Sequence, residues 1–393
     1  MRRLVGKQEA RQEQGAPRKK KVRRFYDYSL LFTIIFLTVF GLIMIYSASA
    51  PKAQILYDGD AAYFMKRQAA IAFGGFVLML IISKINYHFF ARFAFFSYGL
   101  SYILMIAVSL FGKRVNGKRR WLEVGPLSFQ PTEFVKIALI LVLSVVITQM
   151  GRKVNSWRNI LYVGGLAAPL ALLVTANNLS SGIIICGIVF VMLFVATKRK
   201  LVFAACMGGA GFLLAFAGPI GAALEAVGIL QEYQLSRINV WLNPEAYAQE
   251  GGFQVLQGLY AIGSGGLMGK GLGESIQKMG FVPEAQNDMI FSIICEELGL
   301  FGAVSVILIF LFMIYRFMLI ASNAPDLFGA LIVVGVMGHI AIQVILNIAV
   351  VTNTIPNTGI TLPFISYGGT SVLFLMMEMG MVLSVSNQIK LEK

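Results

Sequence analysis

Asp288 is the residue whose type and position best suit acid–base chemistry. It follows Asn287 at the start of an apolar segment that later carries Glu296 and Glu297. At a rise of 1.5 Å per residue, the two glutamates lie about 12 Å deeper along a helix than Asp288. A carboxylate at the mouth of such a segment can stay ionised yet partly shielded from water, which suits a general base. An aspartate at a helix start is also often only a cap beside the helix dipole, so both roles stay open.

A second polar group opens another apolar segment, with the sequence Gln-Pro-Thr-Glu-Phe-Val-Lys over residues 130–136. Glu133 and Lys136 stand three residues apart on one helix face, where they can pair. A charge at mid-bilayer costs about 2.5–3.5 kcal/mol or more, so such residues face the protein interior or a water-filled cavity. We expect either an ion pair that holds the helices together or a polar wall of a substrate cavity, and the two roles are compatible.

The elements that hold these residues are predicted to be membrane helices. Of the 393 residues, 57% are hydrophobic and 13% are charged, and the mean hydropathy is +0.75. The low charged share excludes a cytosolic enzyme, a disordered chain and a disulfide-stapled secreted module. We predict an all-α integral membrane protein with about ten transmembrane helices, since a span needs about 20 apolar residues. The candidate spans are residues 29–49, 64–83, 89–111, 132–150, 159–176, 180–197, 201–221, 288–314, 326–350 and 366–386.

Charge sets the predicted orientation. A run of lysine and arginine over residues 18–24 precedes the first span, which indicates a cytoplasmic N-terminus by the positive-inside rule rather than a nucleic-acid site. Ten spans then return the C-terminus to the cytoplasm. The longest loop, about residues 222–287, falls outside before the eighth span, and long loops usually carry function. The predicted organisation is a basic tail over 1–28, a membrane domain over 29–386 and a short cytoplasmic tail over 387–393.

Another outer loop, residues 112–131, is unusually basic. It carries Arg119 and Arg120 with three further lysines and arginines, against the single acid Glu123. An external basic loop works against the insertion bias, so we expect it to bind phosphate outside the membrane. The alternative is a loop that only neutralises lipid head groups.

Three further stretches depart from simple spans. Residues 263–273 are rich in glycine but lack the pattern of a nucleotide-binding P-loop, so we predict a bent re-entrant loop near the membrane surface. Residues 357–371 contain proline and paired glycines, and such a broken segment is tolerated only against protein or a cavity. His339, Gln343 and Asn347 repeat every four residues on one helix face, which predicts hydrogen bonds between helices.

In their order along the chain, these motifs resemble the SEDS family (shape, elongation, division and sporulation), most closely its FtsW type. The resemblance covers nearly the whole chain after residue 25. It implies ten spans with both termini cytoplasmic and a large outer loop before the eighth span. The residues that carry it are 46–49, 119–121, 130–136, 260–266, 283–291, 296–299 and 362–369.

The resemblance also implies an activity, that of a peptidoglycan glycosyltransferase. Such an enzyme polymerises lipid II, a disaccharide-pentapeptide on undecaprenyl diphosphate, at the outer face of the plasma membrane. The catalytic aspartate of the family falls on Asp288, which we expect to act as the general base. Three cysteines and two histidines without metal-type spacing predict no metal site, although a divalent cation, Mg or Mn, stays open as a cofactor. The expected substrate-binding residues are Arg120, Trp121, Gln130, Glu133, Lys136, Asn287 and Ser366.

Two positions depart from the family pattern, so no role is carried over to them. Gln286 stands where the family commonly has histidine, and Thr358 stands where some FtsW-type proteins have lysine. Residues 274–278 resemble the division or sporulation branch more than the elongation branch. We therefore predict a role in cell division, with the sporulation and elongation branches as alternatives.

The resemblance further implies partners and a location. A class B penicillin-binding protein, which is a single-span transpeptidase, is the expected partner, together with other division proteins and membrane lipids but no nucleic acid. The expected location is the bacterial plasma membrane at the division septum. Two other classes compete with the polymerase: a transporter that flips lipid-linked precursors, which ten spans with interior charges also suit, and a scaffold without chemistry. The predicted external position of the basic loop, Asp288 and the long loop favours an external active site.

Overall fold

The computed structural model describes residues 25–115, 118–124, 127–226, 232–249 and 251–390. The lysine- and arginine-rich run over 18–24 lies outside the described residues, as do residues 391–393. The described chain forms thirteen α-helices, and the predicted fold class, a helical membrane protein, is confirmed. The helices are α1 (Tyr28–Leu56), α2 (Tyr63–Lys84), α3 (His88–Phe111), α4 (Pro131–Met150), α5 (Trp157–Asn177), α6 (Leu179–Ala196), α7 (Lys200–Ala215), α8 (Ala217–Ala226), α9 (Glu232–Leu242), α10 (Gly252–Gly265), α11 (Ile290–Ser322), α12 (Leu327–Val351) and α13 (Ser371–Ser386).

Eight of these described helices are long and apolar enough to cross a membrane, namely α1 to α6, α11 and α12. Each coincides with a predicted span. The chain is therefore a multi-pass membrane protein. Helices α4 and α12 are the most buried of the eight, and they bring their polar side chains into the centre of the bundle.

The predicted seventh and tenth spans are shorter helices than expected. The segment predicted over 201–221 is broken at Phe216, whose φ and ψ of −110° and 23° are not helical, and it continues as α8. The segment predicted over 366–386 becomes helical only at Ser371, because Gly369 takes a left-handed φ of 51°. Both α7 and α13 are apolar but have only 16 residues.

The basic loop predicted over 112–131 contains a small antiparallel sheet, which was not predicted from the sequence. Its strands are β1 (Lys113–Val115), β2 (Lys118–Val124) and β3 (Leu127–Phe129), in the order β1-β2-β3. The Thr370 hydroxyl donates to the Ser128 carbonyl at 2.7 Å, which ties β3 to the start of α13.

Much of the long loop predicted over 222–287 is also folded. Helix α9 lies against the segment that follows α12. The Trp241 indole N–H donates to the Asn353 carbonyl at 3.0 Å, and the Arg237 guanidinium donates to the Asn357 carbonyl at 3.0 Å. These bonds place α9 beside the broken segment 357–371.

The glycine-rich run after α10 pairs with a break inside α11. Gly299 has φ 67° and ψ −165°, which interrupts the helix and frees its backbone groups. The N–H groups of Lys270 and Gly271 donate to the carbonyls of residues 296 and 297, each at 3.0 Å. In return, the N–H groups of Leu300 and Phe301 donate to the carbonyls of residues 266 and 267, at 2.9 and 3.1 Å. The loop is therefore bent, as predicted, and these four bonds give partners to backbone groups that the break in α11 frees.

Candidate functional site

One cavity of about 600 Å³ gathers polar residues from distant parts of the chain. Its walls come from α2, the strands β2 and β3, the start of α4, α6, α9, α10, the turn before α11, α12, the broken segment after α12 and the start of α13. The cavity brings together seven of the eight predicted site residues. They are Arg120, Trp121, Gln130, Glu133, Lys136, Asn287 and Asp288.

Asp288 lies on the cavity wall in the turn that precedes α11, and only 9% of its surface is exposed. Its Oδ2 lies 3.5 Å from the Gln254 amide nitrogen, and its Oδ1 has no hydrogen-bond partner among the described residues. Burial raises the pKa of Asp288 to about 6, and the nearby charge of Glu284 acts in the same direction, whereas Arg237 opposes it. A carboxylate with this pKa is ionised at neutral pH yet accepts a proton readily, as a general base must.

Asn347 holds the backbone at this position. Its side-chain amide donates to the Asp288 carbonyl at 2.8 Å and to the Ile360 carbonyl at 2.7 Å. A single buried amide therefore fixes the Asp288 turn to the broken segment after α12, which also lines the cavity. The sequence analysis expected Asn347 to bond between helices, and the structure instead bonds it to two non-helical segments.

The predicted pairing of Glu133 with Lys136 is confirmed, with a distance of 2.9 Å between Oε1 and Nζ. Both side chains line the cavity, and both are nearly buried. Pro131 occupies the first turn of α4, where its missing N–H costs nothing, so the helix begins directly at the cavity wall. The pair is thus both a structural ion pair and part of the wall.

Ser366 is the predicted site residue that the structure does not bring to the cavity. It is 2% exposed, and its hydroxyl accepts the Leu362 N–H at 2.7 Å. The Ser366 N–H donates back to the Leu362 carbonyl at 3.0 Å. This reciprocal pair uses the hydroxyl to close the turn before Gly368.

The cavity also contains polar residues that the sequence analysis missed. Arg67 reaches it from α2 and Arg237 from α9, so it is lined by four cations when Arg120 and Lys136 are included. Gln254 on α10 is the neighbour of Asp288. Arg67 could have been found from the sequence, because it is a charged residue one turn inside a predicted span. Arg237 lies in a long polar loop, where its sequence position does not distinguish it.

The departures from the family pattern lie at the same place. Thr358 lines the cavity, where some FtsW-type proteins are expected to have lysine. Gln286 is buried at 3% exposure, and its carbonyl accepts the Tyr367 N–H at 2.9 Å. The turn before α11 is thereby fastened to the broken segment.

The cavity wall carries four cations and three acids, Glu133, Glu284 and Asp288, so the cations outnumber the acids. The arrangement can hold a multiply charged anion next to a carboxylate that accepts a proton. Fold and cavity together define a multi-pass membrane protein with a polar cavity in which several cations surround a buried carboxylate.

Comparison with known proteins gives the family. The sequence profile of the FtsW/RodA/SpoVE cell cycle proteins matches residues 28–391. The stage V sporulation protein E of Bacillus subtilis is 38% identical over 91% of this chain and 95% of its own length. A protein of the same species named probable peptidoglycan glycosyltransferase FtsW is 36% identical over 94% of this chain and 93% of its own.

Solved structures agree with the sequence relatives. A chain from a peptidoglycan synthase complex, solved to study how polymerization and crosslinking are coordinated, matches with a TM-score of 0.76 at 26% identity. It covers 93% of this chain and 98% of that chain. The rod shape determining protein RodA of Thermus thermophilus matches with a TM-score of 0.66 at 25% identity, over 93% and 98%. The chain belongs to the FtsW/RodA/SpoVE family, and the resemblance to SEDS proteins is confirmed.

Proposed function

We propose that this chain is a peptidoglycan glycosyltransferase that polymerises lipid II into glycan strands. The observation that carries the proposal is the Asp288 carboxylate, which is buried with one oxygen unpartnered among the described residues, in a cavity lined by four cations. Relatives that match most of the chain bear the name probable peptidoglycan glycosyltransferase, which supports the same activity.

In the proposed reaction, Asp288 takes the proton from the acceptor sugar hydroxyl as that oxygen attacks the donor anomeric carbon. A new glycosidic bond forms, and the bond from the anomeric carbon to the diphosphate oxygen breaks. The diphosphate leaves with the electron pair and gains negative charge. Arg120 and Lys136, both on the cavity wall, stabilise that charge.

The proposed orientation places the cavity at the outer face of the plasma membrane, with both termini cytoplasmic. The positive-inside rule supports it, because the basic run over 18–24 precedes the first span. The prenyl chains of the two substrates then lie in apolar grooves between the spans. Reporter fusions at Lys390 and in the outer loop near Asn243 test this orientation, since only a cytoplasmic reporter at Lys390 agrees with it.

A class B penicillin-binding protein is the proposed partner, and it would crosslink the strand that this chain makes. The similar fold of a chain in a complex that couples polymerization to crosslinking supports this. Other division proteins and membrane lipids are further proposed partners.

We propose that the polymer serves cell division at the septum. Several relatives are named FtsW, which supports division, while the 38% identity to stage V sporulation protein E favours sporulation as the second candidate. Depletion in the native host separates the two. Filaments without septa would support division, whereas normal growth with a failure to form spores would support sporulation.

A divalent cation is the remaining cofactor proposal. Among the described residues, no three His, Cys, Asp or Glu side chains are grouped as a protein metal site requires. We propose that a cation enters with the diphosphate, because Mg²⁺ is commonly held by substrate phosphates and few carboxylates. Metal analysis of the substrate-free chain should then find less than one equivalent of Mg or Mn. A full equivalent would contradict this.

The activity is tested with the purified full chain in detergent, with and without a cognate transpeptidase. Lipid II is supplied, and the product is separated on a gel to reveal glycan ladders. We expect ladders from the native chain and none from Asp288→Ala. Ladders from the variant would exclude Asp288 as the base, and flipping of lipid II in liposomes without any ladder would favour the transporter.

A further inference from the structure

A line of buried polar side chains leads from the cavity wall into the helix core. It begins at Lys136 on α4, continues to His339 on α12 and ends at Glu378 on α13. Lys136 Nζ lies 2.8 Å from His339 Nε2, and His339 Nδ1 lies 2.8 Å from Glu378 Oε2. The side chains of His339 and Glu378 are each 1% exposed, and neither lines the cavity, so Lys136 is the member of the line that reaches it.

The hydrogen bonds of Lys136 define what His339 must do. A buried ammonium group has three N–H donors, and each left without an acceptor is costly. Lys136 donates one to Glu133 at 2.9 Å. His339 Nε2 can accept a second only when that nitrogen carries no proton. Glu378 favours this tautomer because its carboxylate accepts the Nδ1–H bond. The third N–H of Lys136 is then left for the cavity.

Gln343 is a second possible partner of His339 Nε2, so the tautomer of His339 decides which partner it binds. The Gln343 amide nitrogen donates to the Thr361 carbonyl at 3.0 Å, which leaves its Oε1 at 2.8 Å from His339 Nε2. The same nitrogen therefore has a donor, Lys136, and an acceptor, Gln343, at equal distance. The tautomer decides which of them it binds, and Glu378 selects the one that binds Lys136.

We propose that His339, held by Glu378, is a positioning residue that aims the Lys136 ammonium group at the diphosphate. This inference rests on the proposed function, because the diphosphate is the leaving group of that reaction. Lys136 touches the substrate, whereas His339 and Glu378 act through it. Because the leaving diphosphate gains charge only as its bond breaks, the aimed ammonium group contributes more to the transition state than to substrate binding.

The first test measures kcat and KM for lipid II in purified His339→Ala. We expect kcat to fall about 10- to 100-fold, as when a group that orients a ligand-binding residue is removed. The KM should change less than about threefold, because the lost interaction is mainly with the transition state. His339→Gln should recover part of the rate, since its amide oxygen can accept from Lys136. Ser144→Ala, which removes a buried hydroxyl bonded to the Ile140 carbonyl on the same helix α4, is the matched control and should keep the native kcat.

The second test asks whether Glu378 acts through His339. Glu378→Leu should lower kcat about as much as His339→Ala, while Glu378→Gln should keep most of it because its amide oxygen still accepts Nδ1–H. The double variant Glu378→Leu with His339→Ala should lose no more than His339→Ala alone, since residues on one path are not additive. Losses that multiply would overturn the proposal, as would native kcat in His339→Ala. Where His339→Ala does not fold, His339→Gln and the two Glu378 variants decide.

The third test separates this inference from the proposed function. Inorganic pyrophosphate resembles the leaving group and binds without any polymerisation, so its Kd is measured by calorimetry. We expect about tenfold weaker binding in His339→Ala, the lower end of the range for such groups. Unchanged affinity would overturn the positioning role. A native chain that binds pyrophosphate in a His339-dependent way yet makes no glycan would instead contradict the proposed function.

Discussion

Asp288 lies in the turn before α11 and Glu296 lies in the first turns of that helix, and the two acids have opposite surroundings. Asp288 has a 3.5 Å contact to Gln254 at one oxygen and no partner at the other among the described residues. Glu296 is fully buried, accepts from Lys270 Nζ at 2.7 Å and from the Ile276 N–H at 3.1 Å, and also accepts from the Ser275 hydroxyl.

The difference teaches which acid is available for chemistry. Glu296 and its neighbour Glu297 both join the loop after α10 to α11. Glu297 Oε1 accepts from Lys278 at 2.9 Å and from Ser47 at 2.6 Å, which links the same loop to α1. Glu296 is bonded at both oxygens and holds the fold together, whereas Asp288 has an unpartnered oxygen on the cavity wall that can take a proton from a substrate.

The strongest test changes each acid to its amide and measures polymerisation per folded molecule. We expect Asp288→Asn to lower the rate about 10²- to 10⁴-fold, the contribution of a positioned general base. Glu296→Gln should stay within about tenfold of the native rate, since it does not line the cavity. Equal losses in the two variants would erase the distinction between a catalytic and a structural acid.

The same two variants should move stability in opposite directions. Glu296→Gln breaks a buried ion pair and should lower the free energy of unfolding by about 3 kcal/mol. This value is the low end of the range for such pairs, because 29% of the Lys270 side chain is exposed. Asp288→Asn removes a poorly partnered buried charge and should raise it by about 1–3 kcal/mol. Thermal unfolding in detergent, monitored by fluorescence, shows whether each variant is less or more stable than the native chain. A destabilised Asp288→Asn would assign that carboxylate a structural role.

The pH dependence of polymerisation is a further test of Asp288 as the catalytic member of the pair of acids. Burial raises the pKa of Asp288 from 3.8 to about 6, so the base is lost as pH falls through 6, and polymerisation should drop about tenfold per pH unit below that value. Between pH 3.8 and 6 the folded chain binds the proton more tightly than the unfolded chain, so this group's contribution to stability falls as pH rises. The residual activity of Asp288→Asn should not show this fall at low pH. A native profile that is flat down to pH 5 would contradict the assignment.

The smallest effect is expected at an exposed ion pair. Lys66 lies 2.9 Å from Asp60, but the two side chains are 65% and 38% exposed. Lys66→Gln should leave the free energy of unfolding within the scatter of repeat measurements, because water screens such exposed pairs. The measurement uses the same unfolding assay, and a loss comparable to that of Glu296→Gln would show that burial does not separate these acids.

The sequence predicted the cavity better than the contacts that shape it. Asp288 and Lys136 lie far apart in the chain, yet their motifs indicated one site, and the structure brings both to it. The i and i+3 spacing predicted the pairing of Glu133 with Lys136 because helix geometry alone brings them together. Arg237 could not be found this way, since only the packing of α9 against the segment after α12 delivers it.

Two other misses have local causes. The sequence does not show that the Ser366 hydroxyl has a local partner. In the structure this hydroxyl accepts the Leu362 N–H in the turn before Gly368. No strands were predicted in the basic loop, because its short strands alternate little and are bounded by residues that also suit turns. Its strand pairing depends on contacts with α3 and α4, which hydropathy does not reveal.

The break at Gly299 also dictates the order in which the chain can be built. Residues 266–271 are synthesised before residues 296–301, although each supplies the other's missing backbone partners. Until the later residues emerge, the earlier ones cannot leave water for hydrocarbon without exposing unsatisfied groups. We therefore expect the glycine-rich loop and the first turns of α11 to enter the membrane together, as one insertion unit, and a nascent chain that ends before Phe301 to keep the loop at the membrane surface.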